Sequence, residues 1–244
     1  MIKAIVTGHS RGLGAALSER LLARGVAVLG LARAPHAGLA GQPPGRFEQV
    51  GLDLSDTGAV TQWLAGNALD AWLADAATVL LVNNAGVVQP IGPLQLQDPA
   101  AIGTAVALNV TAPLMLAAAV AARRRPGTDC RILHVSSGAG RHVFPGWSVY
   151  CATKAALDHH ARAVVLDQTP GLRICSLAPG VIDTDMQAEI RATGLERFPV
   201  RERFEAMKRE GALVSAQDCA ARIVDHLLGA VFGAVPVADL RELD

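Results

Sequence analysis

A chain of 244 residues, 51% hydrophobic and only 18% charged, is long and apolar enough to bury one large core, and α/β folds of this length are commonly undivided. The formal net charge is zero, so there is no electrostatic footprint for nucleic acid or for an anionic membrane surface. Four cysteines, Cys130, Cys151, Cys175 and Cys219, are scattered without Cys-x-x-Cys or His pairing, so reduced, mostly buried thiols are expected, with no metal site or disulfide framework.

The N-terminus enters a buried-strand pattern at once, from Ile2 to Thr7. It shows no long apolar leader or small-residue cleavage site, and no later segment has about eighteen uninterrupted apolar residues. A soluble, cytoplasmic protein is expected. Directly after this run stands Thr7-Gly8-His9-Ser10-Arg11-Gly12-Leu13-Gly14, opening a helical pattern through Leu13, Leu17 and Leu21 that Gly25 stops. The spacing Gly-x-x-x-Gly-x-Gly serves either a tight connection alone or the close approach of backbone to a pyrophosphate at a helix N-terminus. Its place after the first strand favours the cofactor.

Further strand-like runs follow at Val26 to Ala32, Phe47 to Leu52, Val79 to Asn83, Arg131 to Ser136, Leu172 to Ala178 and Ala234 to Ala238. Helical patterns lie between them, notably the Ala- and Leu-rich stretch Ala100 to Ala122; Pro43-Pro44-Gly45 reads as a loop. Continuous rather than alternating apolar strands imply a parallel sheet covered on both faces, with right-handed crossovers. The expected fold class is a Rossmann-type doubly wound parallel α/β sheet of about seven strands, in one domain over 1–244.

After the fifth run comes Ser137-Gly-Ala-Gly-Arg-His-Val-Phe-Pro-Gly-Trp-Ser-Val-Tyr150-Cys-Ala-Thr-Lys154. On a helix, Tyr150 and Lys154 share one face, one turn apart. A free phenol with a pKa near ~10 exchanges protons poorly at neutral pH, and moving it to about 7 requires roughly 4 kcal/mol. A cation about 4 Å away in a partly solvated site supplies that much, so the pair can serve as general acid or base. A hydroxyl at Ser137 would donate to an oxygen gaining negative charge as a carbonyl is reduced. Tyr-x-x-x-Lys alone is a weak signal, since any amphipathic helix can carry it.

Taken together, the Thr7 to Gly14 turn, Asp53, Asn83-Asn84-Ala85-Gly86, Asn109, Ser137, Tyr150, Lys154, and Pro179-Gly180 with Thr184 resemble the short-chain dehydrogenase/reductase family over essentially the whole chain. The resemblance implies a nicotinamide cofactor in contact with Gly8, Ser10, Arg11, Gly12, Leu13 and Gly14, with adenine meeting Asp53 and Leu54. By the same resemblance Asn83, Ala85 and Gly86 line the cofactor, as do Pro179, Gly180, Val181 and Ile182, and Thr184 contacts the nicotinamide amide. It also implies that Asn109, a mediocre helix former whose buried amide needs partners, holds a water that relays protons through Lys154 and Tyr150.

NAD-specific members of that family carry an acid where Ala32 stands, because a carboxylate binds ribose hydroxyls and repels a phosphate. Here Arg33 follows at once and Arg11 adds a second guanidinium suited to a 2′-phosphate. NADPH is therefore the expected cofactor and reduction the expected direction.

Substrate contacts are expected from Val87 to Pro93, His142 to Trp147, and the excursion Asp183 to Glu210, which would form a lid over the strand ends. Val87, Phe144, Trp147 and Met186 suggest an apolar, partly aromatic pocket, although each could equally be ordinary packing. Within the family the chain most resembles the branch of bacterial benzil reductases and sepiapterin reductase, on motifs such as Phe144-x-Gly146-Trp147 and Gln187-Ala188-Glu189-Ile190-Arg191. An aromatic diketone or similar activated ketone is the expected substrate. A pterin side-chain carbonyl is the alternative; it is weakened because Val237 stands where that reductase uses an aspartate, with Asp239 two residues on. A non-catalytic NADPH-binding regulator is the reading from another class, against which the four residues Asn109, Ser137, Tyr150 and Lys154 are all present. The resemblance also implies a homodimer or homotetramer paired through the helices carrying Asn109 and Tyr150, with His159 and His160 facing solvent or a partner. The tail Asp239 to Asp244 either covers a neighbour's pocket or trails into solvent.

Overall fold

The computed structural model describes residues 1–39, 41–43 and 45–243, so Pro44 of the loop and Asp244 of the tail lie outside the described residues. Seven strands form one sheet: β1 Ile2–Thr7, β2 Ala27–Ala32, β3 Phe47–Gly51, β4 Thr78–Asn83, β5 Asp129–Val135, β6 Leu172–Ala178 and β7 Val237–Asp239. Their order is β3-β2-β1-β4-β5-β6-β7 and every pairing is parallel. The order reverses between β1 and β4, which opens a crevice at the carboxyl ends of those strands, where open α/β sheets bind ligands.

The helices are α1 Gly12–Ala23, α2 Thr57–Ala65, α3 Ala68–Leu73, α4 Pro99–Val106, α5 Ala112–Arg123, α6 Ser148–Leu166, α7 Asp185–Ala192, α8 Arg201–Arg209 and α9 Ala216–Leu228. They cover both faces. On one, Leu17 and Leu21 of α1 meet Ile223, Val224 and Leu227 of α9; on the other, Trp72, Leu116 and Val120 pack over β4 and β5. Continuous apolar strands have this origin, since neither face meets water.

Two expected elements differ in detail. The last strand starts at Val237 rather than Ala234, because Gly233 takes a φ of 79° and the chain is still turning when it reaches β6. The Ala100 to Ala122 pattern is one continuous helix, but its middle, Ala107–Thr111, is a π-helical turn. Pro113, which has no N–H to give the Asn109 carbonyl, explains the break in the α ladder. This whole helix, Pro99–Arg123, is long and apolar enough to cross a bilayer, its most apolar 18-residue stretch having a mean hydropathy of 1.9; its Leu116, Ala117 and Val120 row is buried in the core.

The excursion after β6 leaves and returns through a bridge between Ile182 and Val214. It contains α7 and α8 and closes a third cluster, in which Trp147 is stacked on Phe198 at 4.7 Å and Phe204 lies against both.

Candidate active site

The crevice begins with the turn after β1. Thr7 Oγ1 accepts from the N–H groups of Asn84 and Ala85, at 2.9 and 3.0 Å, and Asn84 Nδ2 donates to Thr7 O at 2.9 Å. These bonds stitch the ends of β1 and β4 together and expose the backbone between them. Gly8 and Gly12 adopt φ of 67° and 55°, and a Cβ at Gly14 would lie 2.1 Å from Gly8 O, so the turn closes only without side chains. Arg11 at the N-cap of α1 makes no side-chain cap bond, and the first turn holds no acid. The first N–H groups of α1 are thus left for an anion, which fits the pyrophosphate of a dinucleotide.

From this turn a cleft of about 760 Å³ runs along the strand ends. Gly8, Ser10, Arg11, Gly12, Leu13, Gly14, Arg33, Asp53, Leu54, Ala85 and Gly86 line it, followed by Pro179, Gly180, Val181, Ile182 and Thr184. Asp53 accepts from Ser55 N and Oγ, at 2.9 and 2.6 Å; the Ser55 hydroxyl and amide, and then nearby Arg33, hold its carboxyl below the usual range. No acid follows β2; Ala32, Arg33 and Ala34 face the cleft instead. Arg11 is 3.4 Å from Asp185 in an exposed pair, of the kind worth about 0–1 kcal/mol, so Arg33 is the more available guanidinium.

Asn83 is a correction. Strand alternation turns it away from the cleft, where it is buried with Nδ2 bonded to Pro113 O and beside His134 Nδ1 at 3.1 Å. Asn84 is the asparagine that borders the cleft. Asn109 also stands one layer back: it is 1% exposed, and its carboxamide is bonded to the N–H and C=O of Val87 and to Thr153 Oγ1. Gly86 separates it from the lysine, for a Cβ there would lie 3.2 Å from Asn109 Oδ1 and 3.7 Å from Lys154 Nζ.

Ser137, Tyr150 and Lys154 line the far end of the cleft. Lys154 Nζ donates to Val135 O at 2.8 Å. Burial draws its pKa down to about 8, partly opposed by Asp158. Burial also pushes the Tyr150 phenol up to about 12, with a hydrogen bond to Ser137 acting the other way. This corrects the expectation of a phenol brought towards neutrality by the lysine. The ammonium sits 5.6 Å from the ring centroid, and burial governs the phenol. The phenol is therefore held in its protonated form, as a proton donor requires.

Val87, Phe144, Trp147 and Met186 all border this end. Trp147 is 4% exposed and makes edge contacts with both Phe144 and Tyr150 at 5.3 Å, so it serves packing and pocket wall together. Arg203, Phe204 and Met207 reach the cleft from α8, inside the expected excursion Asp183 to Glu210, and Arg241 reaches it from the tail; the sequence singles out none of the four. Only a folded chain brings them there. Two further expectations change. His159 is exposed, whereas His160, half-buried on α6, meets His134 across 3.1 Å. Asp239 is buried beyond the cleft and bound by Arg241 through its N–H, Nε and Nη2 at 3.0, 2.8 and 2.6 Å; the tail thus presents a guanidinium to the cleft rather than a carboxylate.

The family model described as short chain dehydrogenase matches residues 3–194. A benzil reductase ((S)-benzoin forming) of Bacillus cereus is 32% identical over 220 residues, 87% of this chain and 88% of its own length. A sepiapterin reductase of Meriones unguiculatus is 33% identical over 237 residues, 91% and 90% of the two chains. The crystal structure of a short-chain dehydrogenase/reductase from Burkholderia vietnamiensis is 50% identical, covers 99% of each chain and superposes with a TM-score of 0.71. With the glycine cradle, the Ser137, Tyr150 and Lys154 cluster and this agreement along its length, the chain belongs to the short-chain dehydrogenase/reductase family of oxidoreductases.

Proposed function

We propose that the chain is an NADPH-dependent carbonyl reductase that converts an aromatic diketone or a similarly activated ketone to an alcohol. The observation that carries this reading is a continuous cleft with an anion-ready glycine cradle at one end and Ser137, Tyr150 and Lys154 at the other. NADPH, when bound, supplies the hydride. Tyr150 gives its phenolic proton to the carbonyl oxygen, a role suited to a phenol that burial keeps protonated. The Ser137 hydroxyl donates to the same oxygen as charge develops on it. Lys154, charged below about pH 8, stabilises the phenolate left behind and would hold the cofactor ribose. Asn109 holds the Val87 backbone, and with it part of the cleft wall.

NADPH rather than NADH is favoured by Arg33 and by the missing acid at Ala32. The aromatic edges of Phe144 and Trp147 beside the phenol favour an aryl ketone. The pairing of Asp239 with Arg241 speaks against a pterin, whose amine would need an open carboxylate. Segment 183–210 serves as the lid. Homo-oligomerisation is supported by apolar side chains left outside the core: Val106 of α4, with Val165 and Leu166 of α6, is exposed at 40%, 40% and 81%. Four buried free thiols suit a reducing, cytoplasmic setting.

The test is NADPH consumption with a panel of diketones, simple ketones, aldehydes and pterins. Turnover of benzil-like diketones is expected, together with loss of at least about 100-fold in kcat for Tyr150→Phe. Normal turnover by that variant would remove the phenol from the mechanism. A dimer or tetramer is expected by light scattering, and a monomer would exclude the pairing.

A further inference from the structure

One more buried charge lies on α6. Asp158 is 2% exposed and stands one turn beyond Lys154 on the same helix face. Its Oδ1 accepts from Ser136 Oγ and from Ser176 Oγ, both at 2.7 Å, so a single oxygen ties the ends of β5 and β6 to the helix. Lys154 holds the preceding residue, Val135, through its carbonyl. The two side chains thus grip consecutive residues of the segment that continues into Ser137. The chain beyond is pressed against the same carboxylate, for a Cβ at Gly140 would lie 2.8 Å from Asp158 Oδ2 and 3.0 Å from the Lys154 backbone carbon.

Asp158 Oδ2 is buried and takes no hydrogen bond. A carboxylate oxygen in that state is unfavourable unless positive charge faces it. Among the described residues, the cation in ion-pair reach of it is Arg141, whose Nε is 3.8 Å away; Lys154, one turn back on the same helix face, feels its charge without touching it. Apart from Asp239, which is paired with Arg241, the other titratable groups around the pair add no charge of either sign at neutral pH. Tyr150 on α6 is a neutral phenol, Cys175 on β6 is a thiol pushed up to about 12, and His134 on β5 is neutral against His160. Asp239 at the end of β7 lies 4.0 Å from Arg141 and is bound by Arg241.

Resting on the reading that Tyr150 and Lys154 carry a carbonyl reduction, we propose that Asp158 is a positioning residue of the active site, which fixes Ser137 against Tyr150 by way of Ser136 and keeps Lys154 charged as its buried counter-ion. The direction of the Asp158 effect on Lys154, opposing the fall caused by burial, agrees with this role.

The test is the pH profile of kcat/KM for two variants. Asp158→Asn keeps an oxygen for both serines and removes the charge. It is expected to fold, to bind NADPH with unchanged affinity, to lose kcat, and to move the alkaline limb to lower pH by about one unit. Arg141→Met removes the guanidinium 3.8 Å from Asp158 Oδ2, leaving that carboxylate to Lys154, and is expected to move the limb to higher pH. A merely structural role gives no such opposed shifts. An unmoved limb in folded Asp158→Asn overturns the proposal. Should that variant not fold, Arg141→Met decides: an upward shift supports the proposal and an unmoved limb overturns it. Tyr150→Phe measured in parallel separates the two levels, since its full activity would sink the reductase reading itself, whereas an inactive Tyr150→Phe with an unmoved limb in Asp158→Asn refutes only the role of Asp158.

Discussion

The carboxamide of Asn109 is bonded at both ends to one residue of the facing loop: Oδ1 accepts from Val87 N at 2.9 Å and Nδ2 donates to Val87 O at 2.8 Å. Replacing it with Ala leaves a partly buried N–H and C=O without this partner, at a cost of up to roughly 1–3 kcal/mol each. Asn109→Ala is expected to lower the urea midpoint by the equivalent of about 2 kcal/mol or more, and to reduce kcat because Val87 forms part of the pocket wall. A midpoint equal to the parent's would show that the loop needs no clamp.

At Gly14 the crowding comes from the backbone itself. A Cβ 2.1 Å from Gly8 O cannot be relieved by a rotamer change, so Gly14→Ala must push the cradle open. Titration of NADPH fluorescence is expected to show affinity falling by at least about tenfold, roughly 1.4 kcal/mol. Unaltered affinity would exclude this turn as the pyrophosphate seat.

Arg33→Asp places a carboxylate where a 2′-phosphate would lie and where ribose hydroxyls could be bound instead. The ratio of kcat/KM for NADPH to that for NADH is expected to fall by at least about tenfold, again roughly 1.4 kcal/mol. A constant ratio would refute the NADPH assignment.

Alkaline pH should separate activity from stability. Lys154 has a folded pKa of about 8 against an ordinary 10.5, so kcat/KM should fall as pH rises through about 8 and the ammonium is lost. Between those two values the unfolded chain binds more protons, so this group makes stability rise with pH. Tyr150 acts oppositely and later: its folded pKa of about 12 lies above an ordinary 10, so its contribution is present below pH 10 and is lost as pH rises towards 12. Activity should therefore fail at a pH where urea midpoints have not yet dropped; simultaneous failure would point to unfolding as the cause.

Most strands are legible in the sequence because a strand buried on both faces leaves an uninterrupted apolar run; the edge strand β3, with Glu48 and Gln49 exposed, does not, yet each of the seven expected runs overlaps a strand. The cleft-lining glycines are legible because a positive φ or a close backbone contact admits little else. Three things are not. The π turn at Ala107–Thr111 depends on Pro113 within an otherwise regular apolar helix. The protonated phenol depends on how deeply Tyr150 is buried, which spacing does not report. The choice between Asn83 and Asn84 depends on a one-residue strand register, which reverses every side chain.

The stack of Trp147 on Phe198 joins the stretch just before Tyr150 to the segment between α7 and α8. Specificity engineering inherits this linkage: a transplanted 183–210 loop that lacks an aromatic plug for Trp147 would leave a void next to the proton donor. Donor libraries should therefore be built as paired cassettes, exchanging both halves of the stack at once.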